Sequence, residues 1–363
     1  MEFLKHVAVH ASPTCGLGLG NVDGASIDGY SDTIPAGSNR LLASNADGIF
    51  VHGERGGITV RNSTFLGQGD DCMNLHCPAF ASRYVTRVSD TEIVFQADVD
   101  VRAGDRLQIM DPTTANLKGV ATVASATRAP DGGSVRCRLE AALSAVGYDA
   151  NVDFIYPLAL AASNFKIVHN FLGQNRSRGL LIGARDGLIE ANTSENAEGY
   201  GVRFEYGGTA WPEGVHAQNV LIRRNVFRNV TGVGLAPTIE GGDGSRFRNY
   251  RNITVQDNQF INPRKMVVML GNCEGVRIVG NTVASEPGRR NTWNHPQWYP
   301  VDCSIYLDNC TRAVVEKLRI RDRDLKECVV YISNTCDPGT RGVDVRGIAA
   351  DIAAGVPIVK DAR

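Results

Sequence analysis

Along most of the chain, apolar and polar residues alternate in short runs that end at an asparagine or a glycine, and no stretch keeps a helical period. The runs share a phrase: GITVRNSTF at Gly57–Phe65, GLIEANTS at Gly187–Ser194, NVLIRRNVF at Asn219–Phe227, NITVQDNQF at Asn252–Phe260 and GVRIVGNTV at Gly275–Val283. Each sets β-branched residues or leucine in alternation, then an asparagine, then a small and an apolar residue. Such repeats predict an all-β fold, a right-handed parallel β-helix in which each turn of chain supplies a few short strands and equivalent residues stack about 4.8 Å apart. Asn62, Asn192, Asn225, Asn258 and Asn281 would then form a ladder at one corner, where asparagine tolerates left-handed geometry and hydrogen-bonds along the stack. The ladder is architecture and carries no chemistry.

One segment departs from this pattern. From Ser82 to Asp153 the text changes to alternating strands separated by AGD and PDGG turns, without the asparagine phrase. A small antiparallel β-barrel inserted into the β-helix is expected, dividing the chain into 1–81, 82–155 and 156–363. Once the insertion is looped out, FLGQ at Phe65 and its copy at Phe171 fall on consecutive coils. That brings Arg176 and Arg178 close to Asp70 and Asp71, with one of the two arginines facing the cleft. At the other end, KHVAVHASPTCGLGLG already reads as coil sequence with no polar segment to cover the open stack. Either an upstream part has been removed or the first residues cover the stack poorly, and the full-length protein is expected to be secreted or periplasmic although MEFLKHVAVH has no signal-peptide character.

The candidate chemistry lies in FLGQGDDCMNLH, Phe65–His76. NADGIFVH, Asn45–His52, aligns with GDDCMNLH, Gly69–His76, without a gap at an offset of 24 residues, about one coil. Asp47 should therefore stack beside Asp71, with Asp70 adjacent. Three crowded carboxylates cannot all ionise cheaply, so at least one should have a raised pKa. That suits glycoside hydrolysis, in which one carboxylic acid protonates the leaving oxygen and a second carboxylate activates water or attacks carbon. Gly67 and Gly69 make a corner plausible, and a corner lets neighbouring acids share one groove.

Other residues are candidates for holding a sugar. His76 and Asn74 follow the acids on the same strand, and Arg176 and Arg178 can orient an acid or grip substrate oxygens. The excursion RFEYGGTAWPEGVHAQN carries Trp211, a platform for the apolar face of a sugar, and Glu213. A second excursion, with Trp293, His295 and Trp298, has nothing that ties it to the acids.

Composition narrows the partners. The formal charge of -1 gives no basic footprint for nucleic acid, and no apolar run is long enough to span a bilayer as a helix. The nine cysteines form no CxxC pair, which argues against a zinc ribbon, and they read as small buried residues of the strand stack. No metal site is expected.

These residues resemble glycoside hydrolase family 110, the bacterial exo-acting α-1,3-galactosidases. The likeness rests on ADG at Ala46–Gly48, GQGDDCMNLH at Gly67–His76, AGDRLQIMD at Ala103–Asp111, NRSRGLLIG at Asn175–Gly183, and WPEG followed by NVLIRRNVF, in the family's order. Adjacent acids also occur in the pectin-cleaving β-helix hydrolases of family 28, but no GHG histidine motif and no RIK-type motif is present. The resemblance implies a β-helix with an inserted barrel, no required cofactor, and removal of a terminal α-linked galactose with inversion. It points to Asp47, Asp70 and Asp71 as the carboxylates of the site. We expect Asp47 as the acid and one of Asp70 and Asp71 as the base. The competing readings are a non-catalytic glycan-binding β-helix of adhesin or tail-spike type, which has no need for crowded acids, and a polygalacturonase-like hydrolase, which calls for a strongly basic cleft.

Overall fold

The computed structural model describes residues 2–205, 208–209, 211, 213–234, 247–289, 301–333 and 339–363. The second aromatic excursion, with Trp293, His295 and Trp298, lies outside the described residues. Three parallel sheets of ten strands each wind around one apolar interior. One runs from Glu2–Lys5 to Arg341–Arg346, a second from Ala8–Val9 to Ala349–Ile352, and a third from Leu17–Val22 to Val359–Asp361. Every coil thus contributes one strand to each sheet, and the fold is a parallel β-helix. Among the described residues no helix is long and apolar enough to cross a membrane.

The alternation seen in the sequence sends every second side chain inward. Ile27, Val60, Ile167, Ile189, Ile222, Val255, Ile278 and Val315 are in register on successive coils of the first sheet and are all buried. Burying each such side chain is worth about 1.5–3 kcal/mol, so the column holds the coils in register against a slip that would turn it to solvent. The described cysteines are free, and all but Cys15 are buried, as the composition led us to expect.

The asparagine ladder is present, with two corrections. Its rungs are Ser63, Asn170, Asn192, Asn225, Asn258 and Asn281, each backbone N–H donating to the next side-chain Oδ1 at 2.9–3.0 Å. Asn170 is an additional member, whereas Asn62 falls one residue short and bonds Asp28 Oδ1 instead at 2.8 Å. Nor do the rungs adopt the left-handed conformation. The residue before each rung does so, at Asn62, His169, Ala191, Arg224, Asp257 and Gly280. The rung asparagine is used for its amide, which also donates to strand carbonyls such as Ile167 O and Ile189 O.

The inserted segment forms a six-stranded antiparallel sheet curled into a half-barrel. Its strands run in spatial order Val85–Ser89, Glu92–Phe95, Val135–Leu139, Asn116–Arg128, Arg106–Asp111 and Phe154–Pro157. Ile93, Phe95, Leu107, Ile109, Val123 and Ile155 fill its interior. Arg55 of the β-helix grips Asp105 with two nitrogens, each at 2.8 Å, and so anchors the insertion to the wall. The chain then resumes the coil it left. Leu172 stacks on Phe65 and Phe171 on Thr64, so the two FLGQ phrases lie on consecutive coils but one residue out of step. Burial decides the register, because Leu172 and Phe65 are the inward-facing pair.

Candidate active site

The third sheet carries the acids at the corner where each coil enters it. Ile49, Met73 and Leu180 are in register, so the residues two positions before them, Asp47, Asp71 and Arg178, form a column across three coils. The Asp71 N–H donates to Asp47 Oδ1 at 3.0 Å, and the Arg178 N–H donates to Asp71 Oδ1 at 2.9 Å. The corner itself needs glycine: a Cβ on Gly69 would lie 2.3 Å from the Asn45 carbonyl oxygen. This tight turn separates two neighbouring side chains. Asp71 points into the stack with 1% of its side chain exposed, while Asp70 points to the cleft with 43% exposed.

Arg178 binds Asp71 on both oxygens, through Nε at 2.8 Å and Nη2 at 3.1 Å. Burial pushes the Asp71 carboxyl up, and the guanidinium opposes that shift. Three donors from Arg178 on its two oxygens favour the ionised form. Asp47 has no such partner. Burial first, and then the charges of Asp71 and Asp70, push its carboxyl up to about 8, so that it holds a proton at neutral pH. Crowding of the acids therefore resolves into an arginine-bound Asp71, a protonated Asp47 and a cleft-facing Asp70.

Farther along the same strand, Asn74 Nδ2 donates to Glu213 Oε2 at 3.1 Å, which leaves Asn74 Oδ1 to accept from His76 Nδ1 at 3.0 Å. His76 Nε2 then accepts from His52 Nδ1 at 2.7 Å, a tautomer assignment that follows from the hydrogen-bond network. Burial, aided by the neighbouring His52, depresses His76 to about 3, and burial lowers His52 as well, so the pair is neutral. Burial raises Glu213, with Asn74 opposing and Asp71 adding to the shift. Glu213 reaches this strand because its loop lies directly on it: the Gly214 N–H donates to Cys77 O at 2.8 Å. The approach is close enough that a Cβ on Gly183 would sit 2.9 Å from Gly214 Cα.

Together these residues line a cleft of about 180 Å³, with Leu181, Glu205 and Trp211 completing its walls. Trp211 is 63% exposed at the mouth. Of the residues singled out from sequence, Asp47, Asp70, Asp71, Asn74, His76, Arg178, Trp211 and Glu213 converge here. Arg176 does not: it is exposed on the other side of the corner, with its N–H on Gln68 O at 3.1 Å. Glu205 and His52 were not singled out. Glu205 follows the strand Tyr200–Phe204, accepts from Arg203 Nε at 3.2 Å and lies 3.9 Å from Arg178 Nη1. The one sequence signal for His52 is its alignment with His76, and Glu205 has none without knowledge of the strand register.

Asp47, Asp70 and Asp71 each offer an oxygen within 4.8 Å of the others. Between these nearest oxygens the gap is shorter than the roughly 6.5–9.5 Å that separates the two carboxyl groups of an inverting glycosidase. Such a cluster is also a possible cation site, but a cation would have to compete with Arg178 for both Asp71 oxygens.

Fold and cleft together define a parallel β-helix protein with an acid-lined cleft on one sheet. A family model described as a right-handed beta helix region matches residues 154–283. In sequence the chain is similar to alpha-1,3-galactosidase B of Akkermansia muciniphila, 26% identical over 278 residues that make up 71% of this chain and 34% of that protein. It is likewise similar to alpha-1,3-galactosidase B of Parabacteroides distasonis, 23% identical over 361 residues, covering 89% of this chain and 56% of that protein. The likeness to the α-1,3-galactosidases thus extends over most of the chain, which spans about half or less of the length of these relatives. Among solved structures, PfbA, a surface adhesin of Streptococcus pneumoniae, matches 95% of this chain and 64% of its own with a TM-score of 0.50 at 12% identity, a likeness of fold alone.

Proposed function

We propose that this chain is the catalytic unit of a glycoside hydrolase that releases terminal α-1,3-linked galactose from glycans with inversion. The observation that carries the reading is the convergence, in one cleft, of the three aspartates at one end of the strand Met73–His76 and Glu213 towards the other. The names of the relatives supply the substrate class. A small cleft with a tryptophan at its mouth fits a single terminal sugar, the apolar face of its ring against Trp211.

The nearest oxygens of the aspartates lie closer than the separation of an inverting pair, and on that ground we place both Asp47 and the Asp70/Asp71 pair on the water side. Asp70, the most exposed, takes the proton of the attacking water as its oxygen bonds to the anomeric carbon. Asp71, fixed by Arg178, positions that corner, and protonated Asp47 donates to a substrate oxygen. The acid is then Glu213: its carboxyl, raised by burial, gives its proton to the leaving oxygen as the glycosidic bond breaks. It is held at Asn74, on the strand that runs on from the acid corner, and the reading requires it to stand roughly 6.5–9.5 Å from Asp70 across the sugar. This replaces Asp47 in the acid role expected from sequence.

The test is to incubate the protein with a terminal α-1,3-galactoside and follow the released anomer by NMR. β-Galactose should appear first, and Asp70→Asn and Glu213→Gln should each slow turnover by about 10²–10⁴-fold. No galactose from the wild type sinks the hydrolase reading in favour of a glycan-binding β-helix. Initial α-anomer contradicts inversion, and a Glu213→Gln variant near wild-type rate returns the acid role to Asp47.

A further inference from the structure

The outward face of the third sheet continues past the cleft towards the first coils. Gly18, Phe50, Asn74 and Leu181 are in register there on successive coils, and beside them run Gly20, His52, His76 and Gly183. The last two residues of each row line the cleft. Phe50 meets the cleft wall in an edge contact with His76, ring centroids 4.8 Å apart, and lies parallel to the His52 ring, 6.1 Å away with 5° between the planes. Phe50 is half-buried and His52 exposed. On the coil before them, Gly18 and Gly20 put no side chain on this face, and a Cβ on Gly18 would meet nothing within 4 Å. Two aromatic rings thus stand beside a strip of bare backbone. The half-barrel bounds that strip at the end of its strand, where Asn21 Nδ2 donates to Asp98 O at 3.0 Å.

We propose that Phe50 and His52, with the bare strand Leu17–Val22 beyond them, bind the leaving-group sugars of the glycan as neutral hexose units. The inference rests on the hydrolase reading with Glu213 as the acid, which fixes its direction. The attacking water lies on the Asp70 side, so the leaving oxygen lies beside Glu213, and hence beside the Asn74 that holds it. From there the described residues leave the glycan one open course. The loop at Glu213 closes the end of the strand, with the Gly214 N–H on Cys77 O at 2.8 Å and the Val215 N–H on Gly183 O at 3.2 Å, and Glu205 stands as a wall on a following coil. On the preceding coil, Phe50 is the in-register neighbour of Asn74, about 4.8 Å away at strand spacing. Its ring offers an apolar surface to one face of a pyranose. The Nδ1 of His52 is engaged by His76 at 2.7 Å, and its Nε2 is left to accept from a sugar hydroxyl. Gly18, Gly20 and Phe50 carry no charge and His52 is neutral, which suits uncharged units. The glycine strip, roughly 10 Å from Asn74 at two strand spacings, gives the next unit a floor without obstruction.

The experiment compares wild type with Phe50→Ala and Gly18→Arg on two substrates, methyl α-galactoside, which has no leaving-group sugar, and a neutral tetrasaccharide ending in α-1,3-galactose. The ratio of kcat/KM for the tetrasaccharide to that for the methyl galactoside should fall about fivefold in Phe50→Ala, the effect of losing one ring contact, chiefly through KM. Gly18→Arg, at a position with room for a side chain, should lower the same ratio by laying a long side chain across the strip. An unchanged ratio in both variants overturns the proposal while leaving the hydrolase reading intact. If the wild type releases galactose from neither substrate, the hydrolase reading fails, and calorimetric titration of the tetrasaccharide decides the platform separately. Binding weakened about fivefold by Phe50→Ala supports it, and binding that is absent or indifferent to both variants overturns it.

Discussion

Asp47 carries a proton at neutral pH because the folded protein surrounds it with burial and two further carboxylates, and this has a measurable consequence for stability. Its carboxyl is raised from an ordinary 3.8 to about 8. Between those values the folded state binds more protons at this site than the unfolded state, so its contribution to stability falls as pH rises from about 4 to about 8. Each pH unit in that window is worth about 1.4 kcal/mol, so between pH 5 and pH 8 the site weakens the fold by up to about 4 kcal/mol. Asp47→Asn removes the titration and keeps an Oδ1 to accept the Asp71 N–H, now 3.0 Å away. The variant should therefore be more stable than wild type at pH 8 by several kcal/mol and closer to it at pH 5. Equilibrium urea unfolding of both proteins across this range measures the difference directly. Asp71 and Glu213 also titrate upward, but they remain in both proteins, so the difference between the two curves reports Asp47 and its couplings. Parallel curves for wild type and variant would refute the assignment of a raised Asp47 pKa.

Arg178→Met should leave Asp71 buried and unpaired, lowering stability at pH 7 by about 3–5 kcal/mol; urea unfolding should show part of that loss recovered at low pH and most of it recovered by adding Asp71→Asn. Asn225→Ala, in the middle of the ladder, strands the Asn192 amide and backbone donors and should lower stability by about 2–4 kcal/mol in the same assay, with the cleft's activity nearly unaffected. Gly183→Ala forces the Glu213 loop off the strand and should reduce kcat/KM on an α-galactoside by about 10²-fold with an unaltered far-ultraviolet spectrum. Trp211→Ala should raise KM about fivefold, as expected for losing about 1 kcal/mol of ring contact.

The β-helix was legible because its signal is repeated. Alternation at period two and a recurring asparagine state the same coil many times, and errors at one coil do not spread. The ladder was read correctly at four rungs and missed at two places, Asn62 and Asn170, where a serine stands at the corner or the phrase is altered. The FLGQ repeat was informative about coil order and misleading by one residue about register, because identical letters yielded to the burial of Leu172 over Phe65. In the site, the stacking of Asp47 on Asp71 needed only a gapless offset within one coil. The choice between Arg176 and Arg178 did not follow from spacing, since they lie two residues apart on a turn.

The sequence by itself thus determined the coil, its interior columns and the vertical neighbour of each acid, because these depend on local periodicity and on strands paired one coil apart. The tertiary structure alone decided which carboxylate takes Arg178, which keeps a proton, and that Glu213, Asn74, His76 and His52 form one chain of hydrogen bonds. Those outcomes rest on side-chain direction at a corner and on a loop that crosses from 139 positions away to meet Asn74. Neither is encoded in any repeat, and both are settled by burial, steric closeness at glycine, and the cost of leaving charge unpaired.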